Sequence, residues 1–150
     1  MLVQNFATLI TSLQKHRMLL TDDDWHNWLE TIEQLSPAQN ASEVAQLFAL
    51  FSDDVNSTDA MWPLLHQIET NDLQILIGGF IRAAEQMQSV APNWLNTCNF
   101  RLLNDDEAKD MLCKLIHEFP TDETQPLRGS LHRLAQTELD FAERITFVLL

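Results

Sequence analysis

The chain has 150 residues, of which 45% are hydrophobic, and this length and composition are ordinary for one globular domain with its own core. Asp and Glu number 22 against 9 Lys and Arg, which gives a formal net charge of −13. Unaided binding to nucleic acid or to an anionic membrane is disfavoured, because the phosphates would repel such a chain. We expect a basic or neutral partner, although acidity that serves solubility alone is an open alternative.

Cysteine positions and hydropathy indicate in which compartment we expect the protein and whether it enters a membrane. Cys98 and Cys113 stand in no CxxC or zinc-type spacing, so we expect free, buried thiols in a reducing cytoplasm. No uninterrupted apolar run approaches the ~20 residues that cross a bilayer, so we expect no membrane insertion.

Helical periodicity extends over nearly the whole chain, and its first two helices are well marked. The apolar stripe of the first consists of Leu2, Phe6, Leu9, Ile10 and Leu13. Thr21 followed by Asp24 resembles a capping box at the start of the second helix, whose two tryptophans share its apolar face. We expect both tryptophans in the core.

A polar break at residues 52–57 separates the third and fourth predicted helices. Ser42 is positioned to cap the third helix and Asp59 to cap the fourth. Pro63 falls within about the first turn of the fourth helix, where its missing N–H costs least. His66 and Glu69 then lie one turn apart on that helix.

Gly78 and Gly79 lie in the middle of the fifth predicted helix, which begins at Asn71 or Asp72. Each glycine inside a helix costs about 1 kcal/mol unless a close neighbour compensates. We therefore expect another helix to approach the backbone closely at this point.

Proline and polar residues divide the remaining chain into three or four helices. Pro92 fits the first position of the sixth helix, and Asn104 both ends that helix and caps the seventh. A loop at 120–125 precedes a helix that Pro126 opens, and residues 138–150 supply the last one. The sequence predicts an all-α single domain over residues 1–150, with eight or nine short antiparallel helices in stacked α-hairpins resembling a short α-solenoid.

Acidic residues cluster at several predicted helix starts. Carboxylates there stabilise the positive end of the helix dipole by about 0.3–1 kcal/mol, so capping explains part of this pattern without any partner. If the hairpins stack in register, the clusters merge along one edge into a negative face that attracts a basic protein. The candidates for binding a partner are Asp22, Asp23, Asp24, Asp53, Asp54, Asp105 and Asp106.

The sequence offers little visible chemistry. His66 and Glu69 have the spacing of a base and its orienting carboxylate, but the second Glu-x-x-His of a two-helix metal site is missing. No phosphate loop, nucleophile motif or calcium loop accompanies them, so we expect neither catalysis nor a cofactor. Trp62 and Trp94 are expected as core anchors. Arg101 is either a surface residue or the partner of a carboxylate, for which Glu69 is our candidate.

Three segments between residues 61 and 104 form the one composite signature of the chain. They are Trp62-Pro63-Leu64-Leu65-His66-Gln67-Ile68-Glu69, Ala91-Pro92-Asn93-Trp94 and Arg101-Leu102-Leu103-Asn104. Together with the apolar helix between them, they resemble the pattern of the bacterial immunity protein 30 family over the middle third to half of the chain.

This resemblance implies a small cytoplasmic antidote from a bacterial polymorphic toxin system, such as contact-dependent growth inhibition, that binds and neutralises a cognate toxin domain. Because members of the family face different toxins, it also implies that the shared block maintains the scaffold. The scaffold residues are then Trp62, His66, Glu69, Pro92, Trp94, Arg101 and Asn104.

Charge and resemblance together predict the kind of toxin. A nuclease must be basic around the scissile phosphate, so an acidic inhibitor can occlude its active site. We expect a basic nuclease, with a ribonuclease favoured, bound by one copy of this chain. The alternative is an acidic secretion chaperone or helical adaptor, which predicts a homodimer and an exposed apolar groove for an extended client.

Overall fold

A computed structural model describes residues 5–55 and 58–150, except for the side chain at position 58. Leu2 of the first predicted stripe and residues 56 and 57 of the polar break lie outside this part. The described residues form nine α-helices and two short 3-10 turns, and the all-α prediction is confirmed. The helices are α1 Phe6–His16, α2 Asp22–Glu33, α3 Ala41–Phe48, α4 Met61–Ile68, α5 Leu73–Val90, α6 Pro92–Leu103, α7 Asp106–Glu118, α8 Thr121–Thr137 and α9 Ala142–Leu149.

Several predicted helix starts are confirmed. The Thr21 hydroxyl accepts a hydrogen bond from the Asp24 backbone N–H, and the Asp24 carboxylate accepts one from the Thr21 backbone N–H. Asp72 caps α5, and Pro92 occupies the first position of α6. Pro63 lies in the first turn of α4 as expected.

Four other local predictions are wrong. Asn40 rather than Ser42 caps α3, and Asp105 rather than Asn104 caps α7. Asp59 does not cap α4, because a 3-10 turn at Thr58–Ala60 leads directly into that helix and its N-cap residue is Ala60. Pro126 lies inside α8 and does not open it, because the polar residues after Pro120 already form the first turn.

Helices α1 to α6 alternate in direction. His16 at the end of α1 contacts Asp24 at the start of α2, and Ser12 lies 3.3 Å from Thr31 near the end of α2, so these two helices are antiparallel. Trp28 Nε1 donates to the Ala60 carbonyl just before α4, and Gln67 Nε2 near the end of α4 donates to the Leu35 carbonyl beyond α2. Helices α2 and α4 therefore run in the same direction, as alternate members of the array.

The array has two ends. Asp53 accepts a hydrogen bond from the Asn93 N–H, which places the loop after α3 beside the start of α6. We call this end of the array the α2 end, because α2, α4 and α6 begin there. At the opposite end the Asn71 side chain accepts from the Ala38 N–H, which joins the starts of α3 and α5. Helix α7 also begins at this second end, which we call the α7 end.

Helix α5 is the centre of the domain. It packs against α3, α6, α7 and α8. At Gly79 an added Cβ would lie 2.5 Å from Val44 Cβ and 2.9 Å from the Ala41 carbonyl oxygen, so α3 lies directly on the α5 backbone. The predicted close approach at the paired glycines is confirmed.

One hydrophobic cluster extends through the described residues. Trp28 and Phe80 are completely buried in it, and the predicted core position of Trp28 is confirmed, whereas Trp25 is only partly buried. Between α6 and α8 the buried Asn99 side chain donates to the buried Ser130 hydroxyl, a polar contact that fixes the two helices against each other. None of the described helices has the length and apolar character needed to span a bilayer.

Candidate functional site

Five residues of the composite signature come together, although they belong to α4, the residue after it, and α6. The Trp62 and Trp94 rings meet edge to face with centroids 5.0 Å apart. The His66 ring lies 5.8 Å from the Trp62 ring, and the Arg101 guanidinium lies over Trp62 at 5.8 Å from its centroid. With Glu69, these residues form what we call the Trp62 cluster.

Arg101 and Glu69 are held together by two hydrogen bonds. Arg101 Nε donates to Glu69 Oε2 at 2.6 Å, and Nη2 donates to Oε1 at 2.8 Å, which confirms the predicted pairing. The bond to Glu69 raises the pKa of Arg101 above its ordinary value. Both Glu69 oxygens accept from the guanidinium, and in the described part of the chain no hydrogen bond joins Glu69 to His66.

The two tryptophans have different environments. Trp94 is 6% exposed and packs against Phe51 as well as Trp62, so its predicted role as a core anchor is confirmed. Trp62 is 36% exposed, and the prediction of a core position is wrong for it. Neighbouring rings and a guanidinium hold Trp62 in place while one part of its ring faces solvent, an arrangement typical of protein-binding surfaces.

A groove of about 540 Å³ lies beside the Trp62 cluster at the α7 end. Its floor is apolar and its rim is polar. The floor consists of Phe48, Leu65, Leu73, Leu76, Phe80, Cys98, Leu102 and Ala108. The rim consists of Glu69, Asn71, Arg101, Asn104, Asp105 and Glu107.

Sequence reasoning found part of this groove and missed the rest. Asn104 was expected in the scaffold, and it lies exposed on the rim, where its N–H donates to the Phe100 carbonyl at the end of α6. Asp105 was a candidate for partner binding. Glu107 belongs to the same acidic cluster in the sequence, so it could have been named as a further candidate. No local sequence pattern indicates that Phe48 of α3 lines the same groove.

The seven candidate carboxylates lie at two ends of the array. Asp53 and Asp54 adjoin the start of α6, and Asp22 to Asp24 begin α2, so these five lie at the α2 end. Asp105 and Asp106 lie beyond the other end of α6, whose 12 residues span about 18 Å. The expected merging of all clusters along one edge is therefore wrong, because α7 begins at the opposite end from α2 and α6.

Several of these carboxylates already serve the fold. Asp24 closes the α2 capping box, Asp53 accepts from the Asn93 N–H, and Asp105 Oδ1 accepts from the Ala108 N–H. Asp106 lies 3.9 Å from the Lys109 ammonium, a pair that is exposed on the aspartate side. The candidates whose side chains have no ion pair or hydrogen bond to the described part of the chain are Asp22, Asp23 and Asp54.

The two thiols are free but differ in burial. Burial raises the pKa of the Cys98 thiol well above its ordinary value, so it stays protonated and is inert beside the groove. Cys113 is half-buried, which corrects the expectation that both are buried, and its thiol donates to the Phe147 carbonyl. Among the described residues, no group of three His, Cys, Asp or Glu side chains is arranged to hold a metal ion.

The Asp24 carboxylate gives a prediction for acid stability. Its pKa is lowered from 3.8, chiefly by the hydrogen bond with His16, whose Nδ1 lies 2.7 Å away. A lowered pKa in the folded state stabilises the fold above the pKa of the unfolded chain, and this contribution is lost as the pH falls through the folded value. We expect Asp24→Asn to lower the melting temperature at pH 6, with a difference from wild type that shrinks below pH about 4.

The control is Asp23→Asn, which removes a neighbouring carboxylate with no such partner. Melting curves of the three proteins from pH 7 to pH 2.5 test this prediction. A gap between Asp24→Asn and wild type that is constant across this range contradicts it.

Comparison with known proteins identifies the class of the molecule. A family model described as Immunity protein 30 matches residues 15–112, which extend from the end of α1 into α7. The match contains the whole Trp62 cluster and the whole rim of the groove. No curated protein and no solved structure gives a match.

The chain is an all-helical immunity protein. It belongs to the immunity protein 30 family, because the matched segment covers more than half of its length. The match also begins about 45 residues before the signature that carried the resemblance, so α2 and α3 are part of the shared fold. Membership implies binding to a cognate toxin and suggests a role without catalysis.

Proposed function

We propose that this chain binds the C-terminal domain of a basic nuclease toxin and occludes its active site, in the cytoplasm of a bacterium that carries a polymorphic toxin system such as contact-dependent growth inhibition. All 150 residues act as one immunity domain, and one copy binds one toxin. A ribonuclease is favoured over a deoxyribonuclease. Neither a cofactor nor a catalytic step is part of this function.

The observation that carries the proposal is the charge of the molecule. A net charge of −13 on 150 residues leaves most carboxylates without a cationic partner of their own. A nuclease binds polyanions through a basic groove, and an inhibitor with the opposite potential associates quickly with that groove and excludes the nucleic acid from it. Family membership indicates that the partner is a toxin, and the negative charge of this chain favours a basic nuclease as that toxin.

The two other hypotheses have less support. A secretion chaperone needs an apolar groove long enough for an extended client, whereas the groove here extends only from the α7 end to the middle of α4, α5 and α6. Catalysis by His66 and Glu69 lacks its geometry, because Arg101 engages the Glu69 carboxylate.

A co-expression experiment tests the proposal. The toxin domain encoded beside this chain is expressed alone, with this chain, and with an unrelated acidic protein of similar size. We expect survival and intact cellular RNA only with this chain, and we expect the two proteins to copurify as a stable pair. Killing without degradation of RNA or DNA contradicts the nuclease assignment, and failure to protect contradicts the whole proposal.

A further inference from the structure

We infer that the toxin is bound at the α7 end, where the groove receives a loop that carries a lysine or arginine next to an apolar residue. The contact then continues from Arg101 along α4 to the exposed part of Trp62, which lies in the first turn of that helix. This inference rests on the proposed function, since it names the binding face and the chemistry of the residue that enters it. It also distinguishes the α7 end from the α2 end, whose five acidic candidates do not line this groove.

The charges on the rim favour a cationic side chain of the toxin. Among the described residues, Arg101 is the one cationic residue that lines the groove, and its charge is balanced by the two bonds to Glu69. Asp105 uses Oδ1 to cap α7, which leaves Oδ2 without a partner in the described residues, and Glu107 is exposed and unpaired there. The rim is therefore negative overall, and two carboxylates are available for an incoming ammonium or guanidinium.

The floor selects a side chain with an apolar stem. Leu73 is half-buried, and Leu76 and Leu102 are 6% and 8% exposed, so a small apolar surface faces the cavity above the completely buried Phe80. Lysine and arginine bury their methylene groups on such surfaces while the charged head stays at a polar rim. A volume of about 540 Å³ exceeds the needs of one such side chain, which leaves room for the apolar neighbour on the same loop.

The adjoining Trp62 cluster supplies a rigid contact beside the groove. Tryptophan and arginine are the residues that most often dominate binding energy at interfaces, especially where they are fixed before binding. Trp62 is held by Trp94, His66 and Arg101, and Arg101 is in turn held by Glu69. Little side-chain entropy is lost when a partner covers this surface.

The decisive experiment compares matched pairs of neutral substitutions by calorimetric titration with the toxin domain that copurifies with the wild-type chain. The variant Asp105→Asn with Glu107→Gln removes two charges from the rim, and asparagine still caps α7. The control Asp22→Asn with Asp23→Asn removes two charges from the first turn of α2. We expect the rim variant to raise the Kd about 100-fold and the control to raise it less than about threefold.

A second pair of variants adds a charge and leaves helix ends stable. Asn104→Lys places an ammonium on the rim, where the C-terminal dipole of α6 favours a cation and the N-terminal dipole of α7 opposes it. The control Gln136→Lys places an ammonium near the end of α8, outside the groove. We expect only Asn104→Lys to weaken binding, by about tenfold or more. Circular dichroism melting confirms that all four variants are folded.

The outcomes separate this inference from the proposed function. If wild type binds and inhibits the nuclease but the rim variants match their controls, or if the α2 variant loses more affinity, the groove is not the binding site and the proposed function stands. If the wild-type chain binds no toxin, both this inference and the proposed function are wrong.

Discussion

Gly79→Ala is expected to lower the free energy of unfolding by at least about 2 kcal/mol, because the added methyl group has no room. It would lie 2.4 Å from Val44 Cγ1 and 2.9 Å from the Ala41 carbonyl oxygen, so the backbone of α3 has to move away from α5. The gain in helix propensity of about 1 kcal/mol for alanine is smaller than this cost. Chemical denaturation measures the change.

Gly129 of α8 provides the matched control. An added Cβ there would meet only the Arg133 guanidinium, at 3.3 Å, and the end of an arginine side chain moves easily. Gly129→Ala is therefore expected to stabilise the protein by about 0.5–1 kcal/mol. The same substitution thus has opposite signs at two helix interiors. Equal effects at Gly79 and Gly129 contradict the close contact between α3 and α5.

Trp94→Ala is expected to destabilise the protein by about 3–5 kcal/mol, whereas Trp62→Ala costs only about 1–2 kcal/mol. Trp94 is 6% exposed and fills the space between Phe51 and Trp62, while Trp62 is 36% exposed. Substitution of Trp94 leaves a cavity in the core, and substitution of Trp62 removes a surface contact. Thermal and denaturant unfolding measure both effects.

The effect of Trp62→Ala on toxin affinity should be large compared with its effect on stability. We expect Trp62→Ala to weaken toxin binding at least about tenfold, although the protein remains folded. Phe147→Ala is the control, because Phe147 is a 48% exposed aromatic residue on α9, outside the segment that matches the family. A Trp62 variant that binds as tightly as the Phe147 variant shows that Trp62 belongs to the scaffold alone.

The fold class was accessible from the sequence because its signals are local. Apolar spacing, the capping box at Thr21 and the proline at the start of α6 each act within one or two helical turns. The paired glycines indicated a close helix contact, since no other residue tolerates it, but they did not identify α3 as the neighbour. Caps were predicted less well, because several adjacent polar residues can each accept the same backbone hydrogen bond.

The candidate site required the three-dimensional arrangement. The pairing of Arg101 with Glu69 was one of two alternatives that the sequence left open, the other being a surface arginine. It was considered because a guanidinium beside an apolar seam needs a carboxylate. The groove was not predicted from the sequence. Its lining combines α3, α4, α5, α6 and α7, and no sequence period relates Phe48 in the floor to Asp105 on the rim. The separation of the acidic clusters into two ends likewise depends on helix direction, which composition does not contain.

The central claim, that this acidic chain neutralises a basic nuclease by covering its active site, is tested most directly by titrating purified toxin with the chain while the cleavage of RNA and of DNA is followed. We expect cleavage to fall to zero at one chain per toxin, and we expect association to slow as salt is raised from about 50 to about 500 mM, because exposed charges are screened. A toxin that binds the chain and still cleaves its substrate at the uninhibited rate would contradict it.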